Sequence, residues 1–323
     1  LKDWKGSVYL FCAFTLAGTS VISARFVSSK LGTFTITAVS LFFALLFLIP
    51  ICWKKLVEAI QALSVKDFFF LSIQALCGMF LFRMFLLNGL MHTSAGEAGI
   101  LTGATPAITA LLAMSVLKEP ASGKKLIGML STVGGILLIQ GLLTSGNGFS
   151  IEHFFGNTLV LCAAACESLF NIFSRIFAVK IASGERYAVH PTVQTTIVSA
   201  IALLFCLIPA MFENPVPLLA GIGVKEWLAL FWYGLFVTAL AFIFWYTGIK
   251  RCSAFSAAAF SGMMPFTSMV LSVLVLEENI RWPQWSGGIL IIIGMVLIGS
   301  GNGIFKKPIL QSAKIKEKEQ VTE

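Results

Sequence analysis

The stretch GATPAITALLAMSVLKEP, Gly103 to Pro120, sets a proline at the centre of an apolar run and a glutamate near its end. In a soluble helix an interior proline costs about 3 kcal/mol, because it removes a backbone hydrogen bond and its ring clashes with the preceding turn. A charge finishing such a run is equally out of place. The chain nevertheless carries the arrangement twice: GMMPFTSMVLSVLVLEEN, Gly262 to Asn279, repeats it 159 residues later.

Extended outward without a gap, the same shift sets Phe85 on Phe244, Gly89 on Gly248, Pro106 on Pro265 and Glu119 on Glu278. It also sets Gly128 on Gly287 and Gly135 on Gly294. Apolar matches are cheap in a chain that is 57% hydrophobic; matched Gly, Pro and Glu are not. A weaker match at a shift of 150 sets Cys12-Ala13 on Cys162-Ala163 and Arg25 on Arg175, and the difference falls in the loop around Glu213–Gly223.

Composition says what kind of chain repeats itself. Only 12% of its 323 residues are charged, against about 25% in soluble domains, and the mean hydropathy is +0.90. A bilayer-spanning helix needs about 20 mainly apolar residues. Runs of that length fall at 7–27, 33–52, 68–90, 95–117, 124–142, 154–178, 191–211, 226–249, 254–276 and 284–304. The expectation is an all-α polytopic membrane protein with ten transmembrane helices. Residues 1–148 and 149–305 form two five-helix repeats, and 306–323 form a charged tail. Five is odd, so the second repeat enters the membrane from the opposite side. Such inverted pairs are a transporter architecture, with the substrate site near the midplane between the halves.

The net charge of +8 would suit a nucleic-acid partner, but its distribution argues against one. Counted with the N-terminus inside, eighteen of the 23 Lys and Arg lie on that side, four on the other, and Arg83 lies within a span. By the positive-inside rule both termini are cytoplasmic, in a cell (inner or plasma) membrane. None of the seven cysteines sits in a CxxC pair with metal-ligand spacing. No metal and no cofactor are expected.

Each repeated feature has a functional reading beside a structural one. Pro106 and Pro265 free the carbonyls of Thr102 and Ser261 at bilayer centre, which hydroxyls, water or neighbouring helices must satisfy. The two kinks bend helices around a cavity and act as hinges, or they shape packing only. Glu119 and Glu278 face an unfavourable dipole at a helix C-terminus and are read as structural, bonding the start of the next helix or a nearby cation. The heptad-spaced Gly128, Gly135, Gly287 and Gly294 make smooth stripes for close helix approach, within the chain or in a homodimer.

Charges inside a bilayer are expensive and usually face a cavity or a partner. Arg83 and Glu167 are the most deeply placed, one of each sign, with Asn171 following Glu167 by one turn. Three readings stand open. Arg83 and Glu167 meet the carboxylate and ammonium of a zwitterion; Arg83 is fixed in an internal ion pair with Glu97 or Glu167; or Glu167 is a proton-coupling site. Phe242, the repeat counterpart of Arg83, shares a face with Trp245, suited to stacking a substrate or to helix packing.

These residues resemble the drug/metabolite transporter superfamily, specifically its EamA type. The resemblance covers about 300 residues through the doubled Pro-centred fourth helix, its terminal Glu and the Gly-spaced fifth helix. It implies a central cavity enclosed by spans 1–4 and 6–9, with spans 5 and 10 outside. It also implies small-molecule transport, often export of amino acids or related metabolites. An intramembrane enzyme is the rival class. With three histidines, no HExxH and no GxSxG, catalysis would lack its usual parts. The reading is a secondary transporter of a small metabolite, an amino acid or related zwitterion or amine, working by alternating access in the lipid bilayer. A quaternary amine, a drug or a nucleotide-type metabolite is the alternative substrate.

Overall fold

The computed structural model describes residues 3–116, 123–139, 151–182, 184, 187–249, 260 and 263–300. Among them every regular element is helical. In chain order these are α1 (Asp3–Ser28), α2 (Thr33–Ala62), α3 (Val65–Gly89), α4 (Ala95–Thr102), α5 (Thr105–Val116) and α6 (Gly123–Ile139). Then come α7 (Ile151–Ala182), α8 (Pro191–Met211), the short α9 (Pro215–Ala220), α10 (Val224–Ile249), α11 (Met263–Leu276) and α12 (Trp282–Ser300). Six of the described helices, α1, α2, α3, α7, α8 and α10, are long and apolar enough to cross a membrane.

Polarity is distributed as a bilayer demands. Leu46, Ile51, Leu130, Leu204 and Ile208 are exposed, while Ser40, Gln74, Arg83 and Thr238 are buried. With no water in the hydrocarbon layer, polar groups turn inward to find partners.

The helix pairing brings distant segments together. α2 packs on α8, α4 on α11 and α6 on α12; α1 packs on α10 and α3 on α7. Two carboxylates pin the first two pairs. Glu213, just past α8, accepts from the backbone of Phe34 (3.1 Å) and Thr35 (2.7 Å) at the start of α2. Glu278, just past α11, accepts from Ala95 (3.0 Å) and Gly96 (2.8 Å) at the start of α4. Orphan N–H groups and the positive end of the helix dipole make a helix start a good seat for an anion. Glu278 was expected to bond the start of the next helix or a nearby cation; it caps the start of α4, 183 residues away. Glu119 lies outside the described residues.

The fourth span was expected as one kinked helix and is two. α4 ends at Thr102, Gly103 and Ala104 turn, and α5 starts at Thr105. Pro106 therefore sits in the first turn of α5, where its missing N–H costs little. The freed carbonyl of Thr102 accepts the Thr105 hydroxyl at 2.8 Å. Pro265 likewise lies two residues into the described part of α11, and it is buried. Ser261 lies outside the described residues. Two helices also outrun the expected bounds: α2 continues through Pro50 to Ala62, and α7 extends to Ala182.

α3 and α10 share a feature absent from the sequence reading. Each contains a widened, π-type turn, over Leu76–Leu81 and Tyr233–Leu240. There the backbone bonds run five residues back, as from Phe82 to Cys77 and from Ala241 to Phe236. The two helices also start alike. Asp67 bonds back to the Ser64 N–H (2.9 Å), and Glu226 to the Gly223 N–H (2.9 Å).

Candidate functional site

Arg83 follows the widened turn of α3 by two residues and is 3% exposed. Its guanidinium donates to Ser40 Oγ of α2 at 2.7 Å and to Thr238 Oγ1 of α10. It also lies 4.3 Å from the Tyr233 ring centroid, in cation–π contact. The Thr238 hydroxyl in turn donates to the Tyr233 carbonyl at 2.8 Å, within the widened turn of α10. Neither Glu97 nor Glu167 pairs with Arg83, and among the described residues no carboxylate stands within ion-pair distance of it. The internal ion pair is thus not what holds this arginine. Among the described residues hydroxyls and a π face hold it.

Glu167 of α7 reaches the break between α4 and α5, with Oε2 2.9 Å from the Thr105 hydroxyl. Ser168, its neighbour, donates to the Thr105 carbonyl at 2.9 Å. Thr105 has a single hydroxyl hydrogen, and two acceptors face it: the Thr102 carbonyl and Glu167. A hydroxyl offers one donor and two acceptor lone pairs. Both contacts are fully satisfied when Thr105 donates to Thr102 and Glu167, carrying a proton, donates to Thr105. Asn171 is half-buried one turn along α7, without a hydrogen-bond partner among the described residues. Thr102, expected only as a freed carbonyl, also donates its own hydroxyl to Gly99 at 2.6 Å.

A second polar node joins four helices. Gln74 of α3 is fully buried, and its Oε1 accepts from Ser174 of α7 (3.2 Å), Gln194 of α8 (3.1 Å) and Tyr246 of α10 (3.1 Å). Nine residues separate Gln74 from Arg83, about two and a half turns of ideal α-helix, which would point them opposite ways. The widened turn between them absorbs about one extra residue, and both side chains reach α10. α3 and α10 are joined by these two side-chain bridges and by an apolar cluster in which Ile73 and Cys77 of α3 meet Phe242, Trp245 and Tyr246 of α10.

Apolar walls lie beside this node. Phe242 meets Phe170 at 5.5 Å and Tyr246 at 6.3 Å between ring centroids, and Trp245 meets Phe14 edge-on at 5.5 Å. The rings expected to stack a substrate are thus in contact with other aromatic side chains. At the ends of α4, α7 and α12, Glu97 accepts from Thr93 (2.8 Å), Asn157 (3.1 Å) and Gln284, with His153 at 3.6 Å.

The EamA-like transporter family matches this sequence over residues 4–141 and 154–300. The chain belongs to that family. It is 30% identical over 300 residues to the uncharacterized transporter YetK of Bacillus subtilis, covering 92% of this chain and 87% of that protein. YyaM, another uncharacterized transporter of Bacillus subtilis, is 26% identical over 71% of this chain and 72% of its own. The WAT1-related protein At3g02690, chloroplastic, of Arabidopsis thaliana is 23% identical over 91% of this chain and 69% of its own. A solved crystal structure, 21% identical, covers 90% of this chain and 95% of that one at a TM-score of 0.59, a likeness of fold alone. The chain is therefore a multi-pass membrane protein of a transporter family.

In this EamA-family chain the glycine stripes are used internally. A Cβ on Gly135 would stand 2.5 Å from the Gly287 carbonyl oxygen, and one on Gly294 would stand 2.6 Å from that of Gly128. Only glycine lets α6 and α12 approach this closely, with Ser131 donating across to the Leu290 carbonyl at 2.7 Å. Gln74, Tyr233, Thr238 and Glu213 were missed in the sequence. The signal for two of them was present: under the 159-residue shift Gln74 falls on Tyr233, as Arg83 falls on Phe242.

Proposed function

We propose that this protein is a secondary transporter that moves a small metabolite by alternating access between two inverted five-helix halves, residues 1–148 and 149–305. Ten spans are counted with α4 and α5 taken as one. The observation that carries the reading is the pairing of counterparts. Spans 2 and 7, 4 and 9, and 5 and 10 lie side by side as α2 with α8, α4 with α11, and α6 with α12. In the first two pairs the end of one helix meets the start of its counterpart, through Glu213 and Glu278. That is the relation a two-fold axis in the membrane plane demands. The matched widened turns and the two-part family match support it.

The substrate class this reading favours is an amino acid or related zwitterion, exported across the cell membrane, with both termini cytoplasmic. Arg83 takes the carboxylate and Glu167, with Asn171, the ammonium. The break at Gly103 and the buried Pro265 are the hinges. Proton coupling is favoured by one further observation, the single Thr105 hydrogen facing two acceptors. Radiolabelled amino-acid flux in proteoliposomes, with and without a pH gradient, tests both. Accumulation that follows the gradient and is lost in Glu167→Gln supports coupling. Normal flux in a well-folded Arg83→Ala/Glu167→Gln double variant refutes the zwitterion site.

A further inference from the structure

Two of the chain's three histidines stand at one place, where the turn after α3 meets the start of α7. His92 lies in that turn, with Nδ1 3.6 Å from Glu152 Oε1 in the first turn of α7. His153, the next residue of α7, returns the contact, with Nδ1 3.6 Å from Oε2 of Glu97 in the first turn of α4. Each half thus offers one imidazole and one carboxylate to the other. At 3.6 Å neither contact is a hydrogen bond; each attracts only while its imidazole carries a proton. Histidine is the side chain whose ordinary charge change falls between about pH 5 and 8. Solvent protons reach both rings, which are 38% and 52% exposed.

Charged groups from the neighbouring elements are already engaged here. Arg25 of α1 donates to the Leu90 carbonyl, Glu278 caps the start of α4, and Arg281, just before α12, holds Gln284 through its backbone N–H. Glu97 is buried and accepts from Thr93, Asn157 and Gln284, a fixed anchor for an arriving imidazolium. The seam beneath is smooth. A Cβ on Gly156 of α7 would stand 2.9 Å from His92 and 3.0 Å from the Gly89 carbonyl oxygen. The repeat places the same glycines at the start of α1 and the end of α10: the shift of 150 sets Gly156 on Gly6, and that of 159 sets Gly89 on Gly248. There Gly248 lies against Leu10. The titrating pairs are not repeated. His92 falls on Arg251, Glu97 on Ser256, Glu152 on Lys2 and His153 on Asp3. Both seams have the glycines that close packing needs, and one alone has the histidines.

We propose that His92 and His153 form a proton-operated latch between the two halves, on the face opposite the termini. The proposal rests on the inverted-half reading for its side of the membrane, and it is separate from any role of Glu167. With both rings protonated, the start of α7 is tied to the α3–α4 turn and that end of the molecule is held together. With both neutral, the two charge contacts vanish and the glycine seam parts more readily. Acid on that face therefore favours closure, and alkali favours opening.

The test is amide hydrogen exchange of the full chain in lipid nanodiscs, followed over residues 90–97 and 151–157 at pH values near the two ends of the histidine range, about 5.5 and about 8. Each variant is compared with the unsubstituted chain at the same pH, which removes the intrinsic effect of pH on exchange. His92→Gln/His153→Gln is expected to exchange about fivefold faster at the acid pH, as loss of two solvent-exposed ion pairs allows, and equally at the alkaline pH. Glu152→Gln keeps both rings and removes one bridge, so a smaller acceleration confined to the acid pH is expected. Unchanged exchange at the acid pH in both variants overturns the latch. Equal acceleration at both pH values also overturns it, because the histidines would then act through packing alone. Tags cleaved on each face of sealed vesicles test the side independently. A joining segment on the same face as the termini, with the acid-specific exchange intact, overturns the inverted-half reading and the placement while leaving the latch.

Discussion

The ends of the helices and the middle of the molecule treat their polar groups in opposite ways. At the ends, carboxylates are saturated. Glu278 takes two backbone N–H groups, Glu213 takes two and the Thr35 hydroxyl, and Glu97 is ringed by Thr93, Asn157 and Gln284. In the middle, Gln74, Tyr233 and Trp245 each leave a donor unused, and Arg83 carries a charge that no described carboxylate answers. Most buried polar groups in a folded protein are paired, so those left short of partners stand out. The difference sets the helix ends apart from the middle of the molecule.

Substitutions divide along the same line. Gly294→Leu drives a side chain into the Gly128 carbonyl and should be the most damaging, at about 3 kcal/mol by overpacking, read as a large fall in melting temperature. Glu278→Ala strips two caps from α4 and should cost about 2 kcal/mol, with Glu278→Gln recovering part of the loss. Thr105→Val leaves the Thr102 carbonyl unpaired and should cost about 1 kcal/mol, while disturbing the response of flux to pH. Tyr233→Phe should leave stability within about 0.5 kcal/mol, because the lost hydroxyl had no partner. A central substitution that melts the protein as Glu278→Ala does would erase the contrast.

Much of the architecture was legible because the repeat is written in residues with backbone consequences. Gly128, Gly135, Gly287 and Gly294 announced a close helix contact, and α6 against α12 is that contact. Pro106 was read as a kink within one helix, and the structure has two helices meeting there. Proline reads alike in either setting, and only the Gly103–Ala104 turn decides which. The widened turns of α3 and α10 were invisible because a shift in backbone bonding has no side-chain signature. Without them Gln74 and Arg83 read as residues on opposite faces, so Gln74 drew no attention. Arg83 and Glu167 were singled out by depth alone, which identifies expensive groups but not their partners; those came from α2, α10 and α5. Glu213 was passed over as loop sequence, because a cap supplied from 178 residues away leaves no local pattern.

The central claim, that the two halves are inverted, is tested most directly by the sidedness of the segment that joins them. A protease-cleavable tag inserted between residues 145 and 149, with tags at each terminus, is probed in sealed membrane vesicles of known orientation. Five helices in each half predict that the joining segment is cut from the face opposite both termini. Cleavage of all three tags from the same face would make the halves parallel and contradict the account.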